Sequence, residues 1–266
     1  MNNTKPPVAI LCGGQGTRLR EETENRPKPL VQVGDWPILL HIMRHYIVYG
    51  LDDFILCTGY KGHMIVDYVS KVDQHTGISR IMHDNNTTTV TYSETPFPKF
   101  TADCIDTGND TLTGDRIVKS LDAREIITHL DGDLLVTYGD GVANVNIDEL
   151  LNFHKDSNRS ATITVCKQKS RYGEVEIDNA GIVKKFLEKP DGSTWINCGY
   201  MVLSPAFIDR MKQFTNFGIE DALIAAAKEN ELAAFKHTGC FYSMDTYRDW
   251  IALNKIWKET KEWKTW

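Results

Sequence analysis

The sequence predicts an α/β fold in which a mixed, mostly parallel β-sheet is flanked by helices and carries a small antiparallel insertion. Short apolar runs, such as those at 8–11 and 54–58, alternate with segments of helical periodicity. The first run leads directly into a glycine-rich loop, as a buried parallel strand does. Strands that alternate with helices form a parallel sheet covered on both faces, so the predicted architecture is Rossmann-like.

The first half of the chain supplies most of the predicted parallel sheet. Pro37 suits the first turn of a helix over 37–49, and Gly50 follows its end. Alternating Thr, Val and Tyr residues over 90–106 predict an antiparallel excursion. The other predicted elements are strands at 8–11, 54–58 and 133–138 and helices at 63–72 and 115–127.

The second half contains the predicted insertion. Three short segments after Arg171, GEVEID, IVKKFLEK and INCGYMVLS, predict an antiparallel layer, and 233–243 predicts a strand pair. The other elements are a strand at 161–167 and helices at 146–154, 205–213, 220–230 and from about 246. Because no linker rich in Pro, Gly or Ser interrupts the chain, we predict one domain over 1–266, built from halves 1–145 and 146–266.

Composition excludes several classes of function. The 266 residues carry a formal charge of −6 without a basic block, which argues against nucleic-acid binding. The six cysteines are scattered and lack zinc-finger spacing, so reduced structural thiols are expected. The sequence shows neither a signal peptide nor an apolar run of membrane-spanning length. We therefore expect a cytoplasmic protein with no membrane partner.

The segment LCGGQGTRL (11–19) predicts an anion-binding loop. Three glycines after the first strand let backbone N–H groups approach an anion, and Arg18 can contact phosphate oxygens bidentately. Two prolines in RPKPL stiffen the chain that carries Lys28. The segment lacks the features of a Walker loop and of the dinucleotide fingerprint. A flexible surface loop with solvated charges is the alternative for the glycines alone.

Two aspartates are candidates for a metal site. Asp140 follows the strand at 133–138 between two glycines, at the strand end where ligands bind in such sheets. Mg²⁺ needs only one or two carboxylates together with phosphate oxygens. The second candidate is Asp245, with Asp249 as a fallback. A tight turn is the alternative interpretation for Asp140, and a helix N-cap for Asp245.

The second half offers residues suited to a phosphorylated sugar. Lys189 is a compact charge for a monoester phosphate, and Glu188 or Asn197 can bind sugar hydroxyls. A solvated ion pair at a strand end is the alternative for the first two.

Together, L-x-G-G-x-G-T-R-L, R-P-K-P-L, E-K-P and N-x-G resemble the motifs of the sugar-nucleotide pyrophosphorylases. The resemblance implies a GT-A-like nucleotidyltransferase fold and Mg²⁺-dependent joining of a nucleoside triphosphate to a sugar 1-phosphate. It implies catalytic roles for Arg18, Lys28 and Asp140, and metal binding by Asp140 and Asp245. Nucleotide contacts fall to the first half, at Leu11, Gly13, Gly14, Gly16, Thr17, Tyr138 and Gly139. Sugar-phosphate contacts fall to the second, at Tyr172, Gly173, Glu174, Glu188, Lys189, Asn197 and Gly199.

Further segments narrow the resemblance. DTGNDTLTGDR (106–116), TYGDGVA (137–143) and SMDTYRD (243–249) resemble the members of this family that use CTP and glucose 1-phosphate. This implies a homo-oligomer and a cytosine contact through Thr107, Gly108, Thr111 and Gly114. The sequence departs from the pattern at Cys12, where Ala is usual, and at 217–221, where a W-E-x-E-like segment is expected.

Three other functions remain open at this point. The chain could use a different phosphorylated acceptor, or bind nucleotide without turnover as a sensing subunit. A glycosyltransferase would carry D-x-D, which Asp131-Gly132-Asp133 matches literally. That match precedes its strand rather than ending it, which argues against this third function.

Overall fold

The computed structural model describes residues 5–71, 80–84, 87–91, 98–124, 132–167, 173–188 and 194–266. Within these ranges the strands are β1 (Val8–Leu11), β2 (Gln32–Val33), β3 (Trp36–Pro37), β4 (Asp53–Thr58), β5 (Arg80–Asp84), β6 (Thr87–Thr91), β7 (Thr101–Asp106), β8 (Leu134–Tyr138), β9 (Gly141–Ala143), β10 (Ala161–Lys167), β11 (Glu174–Ile177), β12 (Val183–Leu187), β13 (Trp195–Leu203), β14 (Leu232–Lys236) and β15 (Phe241–Ser243).

The helices pack on both faces of a central sheet. They are α1 (Arg20–Thr23), α2 (Ile38–Val48), α3 (Gly62–Lys71), α4 (Thr113–Ala123), α5 (Ile147–Ser157), α6 (Pro205–Met211), α7 (Ile219–Lys228) and α8 (Tyr247–Glu259). One buried apolar cluster joins the sheet to α2, α3, α5 and α8, and a second joins it to α4, α6 and α7. Burial of both faces explains why β1, VAIL, is apolar at every position. No helix in the described ranges is long and apolar enough to cross a membrane.

The central sheet has the order β14-β10-β13-β8-β1-β4-β7-β6-β5. Strand β1 pairs in parallel with β4 and β8, and β4 pairs in parallel with β7. Of the nine strands described in this sheet, only β13 and β6 run against the others. The predicted fold class, a mixed and mostly parallel sheet flanked by helices, is therefore confirmed. The carboxyl ends of β8, β1, β4 and β7 form one edge, where ligands bind in such sheets.

Two predicted strand arrangements were wrong, and the antiparallel excursion over 90–106 is confirmed only in part. The end of the 90–106 segment, β7, joins the parallel sheet because its central residues are buried, and only β6 pairs with it antiparallel. The third strand of the predicted insertion, β13, lies inside the main sheet, because its last six residues are buried. The insertion is the β11–β12 hairpin alone. Strands β14 and β15 pair with β10 and β9 rather than with each other.

The other predicted elements are confirmed, and their boundaries agree within three residues where both ends are described. The predictions for residues 72 and 189 and for 92–97 and 125–127 lie outside the described residues, as does Asp131 of the D-x-D match.

The end of the chain packs against the segment that follows Lys28. Trp250 Nε1 donates to the Gln32 carbonyl at 2.7 Å. Trp263 is 1% exposed and its Nε1 lies 3.3 Å from His41 Nδ1. Burial lowers the pKa of His41 to about 4, so Nδ1 is free to accept this bond at neutral pH. The C-terminal aromatic residues therefore form part of the core.

Replacing Trp263 with alanine is expected to lower the free energy of unfolding by about 3 to 5 kcal/mol, because it removes a buried ring and its hydrogen bond. Urea denaturation measures this change. The control is Ile251→Ala on α8, where the side chain is 52% exposed and about 0.5 kcal/mol is expected. Equal effects of the two substitutions would contradict a core role for Trp263.

Candidate active site

A cavity of about 660 Å³ opens at the carboxyl edge of the parallel strands. Twelve of the predicted site residues line it: Leu11, Gly13, Gly14, Gly16, Thr17, Arg18, Lys28, Thr111, Tyr138, Gly139, Asp140 and Asp245. Further lining residues include Cys12, Gln15, Asn109, Asp110, Arg116 and Glu220. The cavity thus lies between the loop after β1, the N-terminal ends of α4 and α7, and the turn after β8.

Glycine occupies three positions in the loop after β1, and the structural surroundings differ from one position to the next. Gly16 has φ of 62°, in the left-handed region that favours glycine, and its carbonyl accepts from Thr23 Oγ1 at 3.0 Å. A Cβ on Gly13 would lie 2.2 Å from Arg116 Nη1, so a side chain there is excluded by the protein itself. A Cβ on Gly14 would meet nothing within 4 Å. Of these three glycines, only Gly14 has open space where a side chain would begin.

A lysine and two aspartates form the charged end of the cavity. Lys28 Nζ lies 2.6 Å from Asp140 Oδ2 and 3.0 Å from Asp245 Oδ1. Arg18 Nη2 lies 3.3 Å from the same Asp245 oxygen, on a side chain that is 76% exposed. Partial burial disfavours the charged form of Asp245, but Lys28 and Arg18 outweigh it and hold its pKa below the usual value.

Strand pairing brings the two aspartates together across the chain. Asp140 is the residue before β9, and Asp245 comes two residues after the end of β15. Strands β9 and β15 pair antiparallel, and Met244 N donates to the Asp140 carbonyl at 2.9 Å. The alternative N-cap role of Asp245 was wrong, because Thr246 is the N-cap of α8. The fallback ligand Asp249 completes that capping box and accepts from Thr246 N at 2.9 Å.

The chemistry of this pair fits Mg²⁺. The ion takes one or two carboxylates and fills its remaining positions with water and phosphate oxygens. Within the described part of the chain, no group of three or more His, Cys, Asp or Glu side chains could hold a metal ion. A two-carboxylate site therefore suits a metal that arrives with a phosphorylated ligand.

Arg116 is a cavity residue that the sequence analysis missed. Its Nη1 donates to Thr107 Oγ1 at 2.6 Å and to the Gly108 carbonyl at 2.7 Å. Its Nη2 donates to the carbonyls of Gly13 and Asn109, both at 3.0 Å. Arg116 is 4% exposed. Its buried guanidinium therefore connects the loop after β1 to the loop after β7. The sequence does contain a signal for a buried role, because Arg116 lies on the apolar face of α4 beside Ile117.

The predicted base-contacting residues fall into two groups. Thr111 lines the cavity, whereas Thr107 is buried and donates from Oγ1 to the Thr58 carbonyl at 2.6 Å. Gly108 turns the chain with φ of 94°. A Cβ on Gly114 would lie 2.2 Å from the Phe217 ring, so this glycine serves the contact between α4 and the segment before α7. Their roles with cytosine stay predictions.

Five of the predicted sugar-phosphate residues are described, and none of these five lines the cavity: Gly173, Glu174, Glu188, Asn197 and Gly199. Register pairs Glu174 with Leu187, which puts Glu174 and Glu188 on opposite faces of the β11–β12 hairpin. A Cβ on Gly173 would lie 3.2 Å from Glu188 Oε2. Tyr172 and Lys189 lie outside the described residues. A shared sugar contact for these residues is therefore still a prediction.

Strand β13 contacts the cavity through Tyr138, which lines it. Asn197 Oδ1 accepts from Gly199 N at 2.8 Å. A Cβ on Gly199 would lie 2.4 Å from the Tyr138 ring, so glycine lets that ring pack against β13. Tyr138 donates from its hydroxyl to Glu220 Oε1 at 2.6 Å, and burial together with this bond raises its pKa. Glu220 lies in the stretch that departs from the family pattern, and it had no assigned role.

Known proteins match this sequence over nearly its whole length. The Nucleotidyl transferase family model matches residues 8–264. The glucose-1-phosphate cytidylyltransferase of Salmonella typhimurium is 38% identical over 263 residues, covering 97% of this chain and 99% of its own. A probable glucose-1-phosphate cytidylyltransferase of Bacillus subtilis is also 38% identical, with the same coverage.

A solved structure supports the same fold. A putative glucose-1-phosphate thymidylyltransferase from Bacillus anthracis superposes with a TM-score of 0.67 at 18% identity, over 96% of both chains. At this identity the similarity concerns the fold alone. The match over nearly the whole chain, the relatives at 38% identity and the shared sheet architecture lead to one conclusion: the chain belongs to the nucleotidyltransferase family.

Proposed function

We propose that this protein transfers a cytidylyl group from CTP to α-D-glucose 1-phosphate, giving CDP-glucose and pyrophosphate, with Mg²⁺ as cofactor. The observation that carries the proposal is the cluster of Lys28, Asp140 and Asp245 at the end of the glycine-loop cavity. The relatives that are 38% identical bear the name of this activity. The identity of the nucleotide and sugar rests on that similarity.

The charged end of the cavity suits phosphoryl transfer by positioning. The phosphate of the sugar attacks the α-phosphorus of CTP in line, the new P–O bond forms, and the bond to pyrophosphate breaks. Asp140 and Asp245 would hold Mg²⁺, which supplies positive charge to the phosphate oxygens. Arg18 and Lys28 neutralise the triphosphate and the leaving pyrophosphate. No proton needs to be abstracted, because the attacking phosphate oxygen is already anionic.

A side-chain nucleophile is not required. Cys12 is the thiol that lines the cavity among the described residues. Burial raises its pKa well above the ordinary value, so the reactive thiolate is disfavoured. Direct transfer between the two substrates therefore fits this cavity better than a covalent intermediate.

The nucleotide lies along the β1 and β7 loops in this proposal. The Arg116 guanidinium fixes these loops relative to each other through its contacts with Gly13, Gly108 and Asn109. Thr107, Gly108, Thr111 and Gly114 are its proposed base contacts, and of these Thr111 lines the cavity. The sugar 1-phosphate lies toward β13, with Tyr172, Gly173, Glu174, Glu188, Lys189, Asn197 and Gly199 as its proposed contacts.

Three finer properties belong to the same proposal. The protein is proposed to act in the cytoplasm, to assemble as a homo-oligomer and to supply a nucleotide sugar for surface polysaccharides. Another phosphorylated acceptor and a sensing subunit without turnover remain the competing functions. The full set of Arg18, Lys28, Asp140 and Asp245 in one cavity favours turnover over sensing.

The proposal predicts Mg²⁺-dependent pyrophosphate release with CTP and glucose 1-phosphate only, when four nucleoside triphosphates are assayed against a panel of sugar 1-phosphates. Release with CTP and another sugar would keep the chemistry and replace the acceptor. Nucleotide binding without release from any pair would favour the sensing subunit.

Replacing Lys28 with alanine is expected to lower kcat by about 100- to 1,000-fold, because it removes charge from the transition state. The variant should remain folded with a moderately lower melting temperature, because Asp140 and Asp245 lose the ammonium between them. Steady-state kinetics measure kcat, and Lys228→Ala on the exposed side of α7 serves as control. Near-normal turnover of the Lys28 variant would remove its assigned role.

Replacing Arg116 with lysine is expected to raise KM for CTP at least about 10-fold, because an ammonium cannot reproduce the fork of five donors. The matched control is Asp122→Asn, an exposed position on the same helix. Circular dichroism checks that the variant is folded. An unchanged KM in a folded Arg116→Lys protein would show that the two loops hold the nucleotide without this guanidinium.

A further inference from the structure

The side chain of Lys28 occupies the space between the two carboxylates that are proposed to hold the metal. Its Nζ lies 2.6 Å from Asp140 Oδ2 and 3.0 Å from Asp245 Oδ1, and the side chain is 12% exposed. The two aspartates are 32% and 24% exposed, so solvent reaches both. The ammonium thus bridges two carboxylates that strand pairing places side by side.

An ammonium and a divalent cation cannot share these two oxygens. Mg²⁺ binds carboxylate oxygens at about 2.0–2.1 Å, closer than the ammonium does. Two cations on the same pair of oxygens would repel each other at contact distance. Metal binding through Asp140 Oδ2 and Asp245 Oδ1 therefore requires the Lys28 side chain to leave.

The backbone restricts where that side chain can go. Lys28 lies between Pro27 and Pro29 in a short 3₁₀ turn, closed by bonds from Leu30 N to the Pro27 carbonyl and from Val31 N to the Lys28 carbonyl. The turn holds the backbone, and the four side-chain torsions remain free. Lys28 Cβ would lie 3.4 Å from a Cβ on Gly16, so the base of the side chain borders the glycine loop. Rotation away from the aspartates can therefore bring the ammonium over that loop.

The cluster is electrically neutral without metal and positively charged when a divalent cation is bound. Without metal, Lys28 and Arg18 offset Asp140 and Asp245. With a divalent cation on the aspartates, the carboxylate charge is neutralised and both basic side chains become available to a polyanion. The site would otherwise present no net positive charge to a triphosphate.

We propose that Lys28 is the resting counter-ion of this carboxylate pair, and that a divalent cation displaces it toward the glycine loop, where it binds the nucleotide phosphates. This inference rests on the proposed function, in which Asp140 and Asp245 hold the metal. Its consequence is positive coupling between metal and nucleotide. Each should strengthen the binding of the other by the same factor, because such coupling is reciprocal.

Binding of Mn²⁺ to the nucleotide-free protein tests the exchange without any turnover. Electron paramagnetic resonance of free Mn²⁺ gives the dissociation constant for the wild type and for Lys28→Met, which keeps the length of the side chain and removes its charge. The Lys28→Met protein should bind Mn²⁺ at least 10-fold more tightly, because the competing cation is gone. Equal or weaker binding would overturn the proposal. Lys28→Gln provides a second variant with the same expectation.

Two controls make the result specific. Arg18→Met removes a more exposed charge beside Asp245 and should change Mn²⁺ affinity less than Lys28→Met does. Asp245→Asn should abolish the tight binding when combined with Lys28→Met, and persistence of that binding would place the ion elsewhere and overturn the exchange. Pyrophosphate release by the wild type is measured separately, so failure of the exchange and failure of the proposed reaction are distinguishable.

The coupling itself is measured by repeating the Mn²⁺ titration with saturating CTP. The nucleotide should tighten Mn²⁺ binding in the wild type. The ratio of the Mn²⁺ dissociation constants without and with CTP should be at least 10-fold smaller in Lys28→Met. An equal factor in both proteins would contradict the movement of Lys28 to the phosphates.

Discussion

The contact of Lys28 with Asp140 and Asp245 is the interaction that organises the cavity in the metal-free protein. It joins three distant parts of the chain: the proline-stiffened turn after α1, the turn after β8 and the approach to α8. Opposite charges at these distances attract strongly where water is partly excluded. The surrounding structure keeps the groups in reach, through the β9–β15 pair on one side and the Trp250 bond to Gln32 on the other.

A second constraint operates at the other end of the cavity. A buried guanidinium costs stability unless its donors are satisfied, and Arg116 satisfies them with carbonyl and hydroxyl oxygens of the β1, β4 and β7 connections. These bonds fix the loops before any ligand binds. Pre-organised loops reduce the ordering cost of binding, and a fixed geometry is what transfer between two polyanions requires.

Much of the fold was predictable because its signals are local. The apolar run of β1, the glycine loop and Pro37 with Gly50 each follow from residue type and spacing. The wrong assignments concern pairing between distant segments. The segment INCGYMVLS has the same composition whether it forms part of an insertion or of a central sheet. Pairing with β8 determines that it joins the central sheet. Likewise β14 and β15 adjoin in sequence, yet open edges on β10 and β9 determine their partners.

The site was predictable where a motif stands on one short segment, as for Lys28 and Asp140. Arg116 was missed because a charged residue in an amphipathic helix is usually solvated, and its five acceptors come from loops that no local pattern brings together. The most direct test of transfer without an enzyme nucleophile is the stereochemical course with CTP that carries sulfur at the α-phosphorus in one configuration. Inversion at phosphorus is the predicted result, and retention would require a covalent intermediate and contradict direct transfer.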